Sequence, residues 1–273
     1  MNKNQQLNKI YKGIKEIKIQ GATNIAKAAF KAYELFPKKS TIKKLESLRP
    51  TEPFLQNVLN KLEKGHNKQE IINHFGNAQD KINQEVIKLI KKNEVLFTHC
   101  HSTNVVNSLI YAKHKGKKFE VYNTETRPLF QGRKTSKELA KAKIKVTQFG
   151  DSAIGIALSK EQGTKKVTKV FLGCDAILKN GDIINKVGSE TVAILAKQNK
   201  TPVFIVADSW KFTKENQYLE QRSYDEVWDD APKNIRIRNP SFEKVPSKYV
   251  KAIISDLGVY SPRRFVKKAR KVI

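Results

Sequence analysis

Val95–Lys113, VLFTHCHSTNVVNSLIYAK, decides how the chain is read. A short apolar run ends at Thr98, polar residues fill 99–104, and apolar positions then recur at helical spacing over Val105–Lys113. The pattern predicts a strand, a loop and a helix. It repeats: apolar runs at Phe119–Tyr122, Lys145–Phe149, Val170–Gly173 and Val203–Val206 predict further strands. Amphipathic segments at Ser136–Lys143, Ala153–Lys160 and Ser189–Gln198 lie between them. The first strand starts recur about every 25 residues, as in successive βαβ units. Right-handed crossovers turn such units into a largely parallel, doubly wound sheet, whose ligands bind outside the carboxyl ends of the strands.

Upstream the texture is different. Residues 1–90 read as a helical domain, with 91–273 forming the α/β domain. Ala22–Phe36 carries apolar residues at helical spacing and is stopped by Pro37. Pro53–Lys64 and Gln69–Lys91 repeat that pattern, with Gly65 and Gly76 as expected punctuation.

Charge is the unusual bulk property. The 273 residues hold 53 Lys and Arg against 26 Asp and Glu, a formal net charge of +27. Such a balance raises nucleic-acid binding as a class. The lysines, however, are spread over the polar faces of most helices, and only Arg263–Lys271 concentrates them. Zinc-finger spacing, an aromatic RNA-binding signature and an obvious helix-turn-helix are all missing from the sequence. A lysine-rich solvated surface is the plainer reading. No apolar run approaches the roughly 20 residues of a membrane span, and the basic N-terminus lacks the apolar stretch of a secretory signal. Two cysteines, Cys100 and Cys174, make no disulfide framework. A cytoplasmic protein is expected.

The strand ends carry the chemistry. The first runs into Thr98-His99-Cys100-His101-Ser102-Thr103-Asn104. Ser102, Thr103 or Asn104 could cap the following helix and leave Cys100 near its positive end, which favours a thiolate. Cys100 is equally readable as a small buried hydrophobe. Adjacent strand residues face opposite ways, so His-Cys-His is a poor metal site, and no metal is expected. The second strand end offers Arg127, Gln131 and Gly132, and the fifth offers Lys211. The fourth ends in Gly173-Cys174-Asp175, followed by Asn185 and Lys186. Burial would raise the pKa of Asp175 and make it a proton donor near neutrality; capping a turn is its commoner alternative use. A thiol, a carboxyl and several cations facing one crevice describe a site for a phosphorylated small molecule.

THCHSTNVVNSL, TETRPLFQG, GCDAILKNGDIINKVGS and RNPSFEKVPSKYVKAIISDLGVYSP, with IQGATNIAKAA and SLRPTEPFL upstream, resemble the family of ribose-1,5-bisphosphate isomerases, methylthioribose-1-phosphate isomerases and regulatory subunits of translation initiation factor 2B. The resemblance covers nearly the whole chain and looks closest to the archaeal bisphosphate branch. It implies an N-terminal helical domain, a Rossmann-like C-terminal domain, and homo-oligomers that are dimers or trimers of dimers. It implies catalysis by Cys100 and Asp175 without a cofactor. Substrate contacts fall on Gln20, Gly21, Ala22, Arg49, Ser102, Arg127, Gln131, Gly132, Asn185, Lys186 and Lys211. The implied substrate is a phosphorylated sugar, with AMP a possible nucleotide effector. One position departs from the isomerase pattern: Gln20 stands where an arginine is usual. Glutamine cannot make the charge-assisted bidentate contact of a guanidinium, a loss of about 1.5–3 kcal/mol. The alternative activity implied by the family is a non-catalytic regulator that contacts initiation factor 2 or RNA and senses a nucleotide or sugar phosphate.

Overall fold

Helix-forming local signals shape the first ninety residues. The structure, a computed structural model, describes residues 1–16, 18–19, 21–50, 52–215 and 220–273. Among them the chain first forms α1 (Lys3–Lys15), α2 (Ala22–Leu35), α3 (Lys39–Leu48), α4 (Pro53–Glu63) and α5 (Lys68–Leu89). Asn2 and Gln5 close a capping box on α1, Pro53 opens α4, and Asn67 caps α5. Each helix buries one stripe: Ile25, Ala29 and Phe30 of α2 meet Phe54, Val58 and Leu59 of α4 in a common core. Burying a side chain of this size contributes about 1.5–3 kcal/mol.

Gly65 marks a turn, at φ 74°. Gly76, expected as a break, instead lies inside α5. The apolar stripe Ile71–Ala78–Ile82–Val86 continues across it, and burial of that stripe outweighs the roughly 1 kcal/mol helix penalty of glycine. Ile71 belongs to the helical core, whereas Ile82 and Val86 belong to the core on one face of the sheet. One helix therefore ties the two layers together.

The remainder runs β1 (Glu94–Thr98), α6 (Thr103–His114), β2 (Phe119–Thr124), α7 (Gln131–Lys141), β3 (Lys145–Phe149), α8 (Ile154–Ser159), β4 (Val167–Leu172), β5 (Ala176–Ile177), β6 (Ile183–Lys186), α9 (Ser189–Gln198), β7 (Val203–Val206), β8 (Phe242–Val245), β9 (Ala252–Ser255), β10 (Gly258–Tyr260) and α10 (Pro262–Ala269). The main sheet has the order β10-β9-β7-β4-β1-β2-β3. Every pairing is parallel except the β9–β10 hairpin. Phe97, Val170 and Ile205 point to one face and Leu96, Phe171 and Val206 to the other, so both faces are buried. Strand order reverses between β1 and β4, and this switch point opens a crevice at their carboxyl ends.

A second sheet, β5-β6-β8, is antiparallel and sits beside that crevice. Its strands are two to four residues long, too short for any period to show in the sequence. It matters because Asn185 and Lys186 leave from β6, and the Asp175 amide donates to the Ile184 carbonyl at 2.9 Å. No helix among the described residues is long and apolar enough to cross a membrane.

Candidate active site

A cavity at the switch point gathers residues from both halves of the chain. From the helices come Gly21 and Ala22 at the start of α2, then Arg49 and Glu52 ahead of α4. From the sheet come Cys100 and Ser102 after β1, Asp175 after β4, Asn185 and Lys186 from β6, and Lys211 after β7. Gln131 opens α7 and also lines the cavity. Three helices, α2, α6 and α7, thus begin at its wall, and neither α2 nor α7 has a side-chain cap. Free amides and the positive ends of three dipoles favour an anion there.

Two of the expected contacts, Arg127 and Gly132, stand elsewhere, and a third, Gln20, lies outside the described residues. Arg127 is exposed and away from the cavity lining, its guanidinium 4.9 Å from the centre of the Phe130 ring. Gly132 is buried against the end of β2, where a Cβ would fall 1.7 Å from the Thr124 carbonyl oxygen. Its small size allows α7 to approach the sheet. It does not line the cavity.

His99, Cys100 and His101 go three ways. His99 is buried, with Nδ1 beside Thr124 Oγ1 and Nε2 2.8 Å from the Val187 carbonyl. His101 Nδ1 lies 3.0 Å from Thr135 Oγ1. Cys100 takes a left-handed conformation at φ 67°, its amide donating to Thr126 Oγ1 and its carbonyl accepting from Thr135 Oγ1. Non-glycine backbone in this region is strained by about 1–3 kcal/mol and is held by its surroundings. Here two threonines do the holding. Of the three candidates for the cap of α6, Ser102 takes the role, its side chain accepting from the Val105 amide.

The thiolate that the nearby helix start would favour meets an opposing effect of burial. Cys100 is partly exposed as a residue and lines the cavity. Burial pushes its pKa up to about 12, with the negative charge of Asp175 adding to the rise. The His101 amide and the Lys186 ammonium work against that rise and do not overcome it. Burial likewise raises Asp175, opposed by Lys211, Lys186 and Arg49. Burial lowers Lys186. Burial thus disfavours the charged forms of Cys100, Asp175 and Lys186.

Fixed partners hold the cations. Lys211 Nζ donates to the Cys174 carbonyl at 2.7 Å, and Arg49 Nη1 lies 3.3 Å from Glu220 Oε2. Arg222, paired with Glu226, completes the wall, together with Ser241. Neither the sequence motifs nor the spacing had picked out Glu52, Glu220, Arg222 or Ser241. Glu52 was within reach, being three residues from Arg49 in SLRPTEPFL.

Six buried side-chain atoms among the described residues have no hydrogen-bond partner, and five of them belong to cavity residues: Arg49 Nε, Glu52 Oε2, Asn104 Oδ1, Gln131 Oε1 and Ser241 Oγ. Each unmet group of this kind is unfavourable by about 1–3 kcal/mol. Their concentration in one place is the mark of a surface built to meet a polar ligand. Among the described residues no three of His, Cys, Asp and Glu are grouped to hold a metal ion.

Comparison with known proteins agrees with this architecture. The chain is 33% identical to ribose 1,5-bisphosphate isomerase of Methanocaldococcus jannaschii over 93% of its own length and 91% of that protein's. It is 35% identical to 5-deoxyribose 1-phosphate isomerase of Clostridium botulinum over 66% of its length and 56% of that protein's. The crystal structure of a translation initiation factor eIF-2B from Pyrococcus horikoshii superimposes with a TM-score of 0.81 at 24% identity, covering 95% of this chain and 98% of that one. With residues 12–262 matching its model, the chain belongs to the Initiation factor 2 subunit family.

Proposed function

We propose that this chain is an aldose–ketose isomerase acting on a sugar 1-phosphate, converting ribose 1,5-bisphosphate to ribulose 1,5-bisphosphate. The observation that carries the reading is the meeting of Cys100 and Asp175, with Lys186 and Lys211, in one polar cavity at the switch point. The names of the similar proteins support the reaction class. Phosphate on the anomeric oxygen blocks ordinary ring opening, so an acid and a base must act together. Asp175 gives its proton to the ring oxygen while the Cys100 thiolate removes the proton from carbon 2. The bond from carbon 1 to the ring oxygen breaks and an enol phosphate forms. Cys100 then returns its proton to carbon 1, and the enol hydroxyl proton passes to Asp175, leaving a ketone at carbon 2. Atoms and charge balance over the cycle.

The reaction needs the proton on Asp175 and the charge on Cys100; burial raises both groups, so that distribution is a minor form of the resting site. A regulatory scaffold has no use for such a pair, which favours catalysis over the sensing reading. AMP as an effector, a cytoplasmic location and assembly into dimers or larger rings complete the proposal. The test is conversion of ribose 1,5-bisphosphate by purified protein, with and without AMP, beside Cys100→Ser. Turnover lost in the variant supports the reading. No turnover with the phosphosugar still bound replaces it with ligand sensing.

A further inference from the structure

The catalytic reading uses one of the carboxyls facing the cavity and leaves Glu52 without a task. Glu52 is the N-cap residue of α4, yet its side chain makes no capping bond. The carboxyl turns instead into the cavity wall, at 6% exposure, with Oε2 unpartnered. A solvated carboxylate would have been easy to place at this helix start, where the dipole favours negative charge. Burying it beside another carboxyl is unfavourable unless a ligand group comes to meet it.

Its neighbours limit what that group can be. Burial, and then the charge of Asp175, raise its pKa to about 8, with Arg49 and Lys211 opposing. At neutral pH Glu52 therefore holds a proton and offers both a donor and an acceptor. A phosphate lodged between Glu52 and Asp175 would face two acidic groups, and its charge would resist their ionisation. A hydroxyl can donate to one carboxyl oxygen and accept from the other without adding charge. The cationic groups and open helix starts on the rest of the wall are left for phosphate.

We infer that Glu52 is a specificity-determining residue that holds a ring hydroxyl of the sugar close to Asp175. The inference rests on the isomerase reading and deepens it: the site is selected for a hydroxylated sugar ring by Glu52 and for phosphate by the cations. Sites built to hydrogen-bond a hydroxyl reject analogues lacking it, because their own buried groups are then left unmet.

The experiment is calorimetric binding of ribose 1-phosphate, 2-deoxyribose 1-phosphate and inorganic phosphate to the full chain, its E52A and its E52Q, with melting temperatures measured alongside. Glu52→Ala is expected to weaken ribose 1-phosphate 10- to 100-fold, leave inorganic phosphate within about 2-fold, and keep or raise the melting temperature at pH 7.5. Glu52→Gln, which keeps a donor and an acceptor, is expected to restore most of the sugar affinity. A purely structural carboxyl would lower the melting temperature when removed and move all three ligands together, and that result overturns the inference. Unchanged sugar affinity in E52A, while the parent protein still turns over substrate, overturns the role of Glu52 and leaves the isomerase standing. Parent protein that binds phosphate but neither sugar phosphate overturns both.

Discussion

The side-chain amide of Asn57 donates to the carbonyls of both Trp210 and Phe212, at 2.7 and 2.9 Å, and so straddles Lys211. Asn57 lies on α4 and never reaches the cavity lining, yet it fixes the backbone on either side of a cavity lysine. Replacement by alanine leaves two carbonyls unmet and frees that turn, a loss of about 1–3 kcal/mol in stability. The Asn57→Ala protein should keep its fold and lose about ten-fold or more in kcat/KM, read by steady-state kinetics beside a melting curve.

The switch point depends on an absent side chain. A Cβ on Gly173 would lie 2.4 Å from Ser102 Oγ and 2.5 Å from its Cβ. Gly173→Ala must therefore push the start of α6 away from the end of β4. Overpacking of this kind is unfavourable by about 1–3 kcal/mol. The double variant Gly173→Ala, Ser102→Gly should recover part of the lost melting temperature, and no recovery would show that the strain lies elsewhere.

Proton linkage at Glu52 gives a signed prediction. Its pKa is raised from the ordinary value to about 8 in the folded chain. The folded state thus holds more protons than the unfolded one between about pH 4.5 and pH 8, and stability falls as pH rises through that window. Glu52→Gln cannot titrate. Its melting temperature, compared with the parent's, should gain several degrees on going from pH 5 to pH 8. A constant difference across that range would mean that Glu52 is ionised throughout.

For the Cys100–Asp175 pair, the balance between its two singly protonated forms does not depend on pH. The profile of kcat/KM should rise through an acid limb displaced above the ordinary carboxylate range. It should not fall at alkaline pH through ionisation of the thiol, which burial holds up to about 12. Glu52→Gln serves as the background, removing the titration of Glu52 from the profile. A thiol that reacts rapidly with iodoacetamide at pH 7, in protein without substrate, would contradict the resting state described.

Arg127 supplies a control outside the cavity. Its guanidinium sits over the Phe130 ring and outside the cavity lining. Arg127→Ala should leave kcat and KM within about two-fold of the parent values. A larger loss in the kinetics would mean that the loop closes onto the ligand.

The sequence made the parallel sheet legible because each buried strand is a short apolar run followed by an amphipathic helix; α9 was predicted over its observed residues, Ser189–Gln198. The helices α1 and α3 fell within the stretch read as helical but were not delimited, because lysines and other polar residues separate their few apolar positions. In the site, Cys100, Asp175 and Lys186 stood out because motifs announce them. Glu52 and Ser241 did not, because their meaning lies in unmet hydrogen bonds, which depend on where distant segments come to rest. The tuning of Cys100 stayed open for the same reason: proximity to a helix start can be seen in sequence, whereas the burial that raises its pKa cannot.

Trp210 is packed in the core of the helical layer, while Lys211, its neighbour, is tied through Nζ to the end of β4. A single peptide bond joins two allegiances. The helical layer is consequently no interchangeable adapter: a chimera taking residues 1–90 from a relative would inherit a different seat for the indole and, with it, a displaced ammonium. Recombination between lineages of this fold should then tolerate crossovers only where the donor's α4 also brings a side chain able to grip the turn around Lys211.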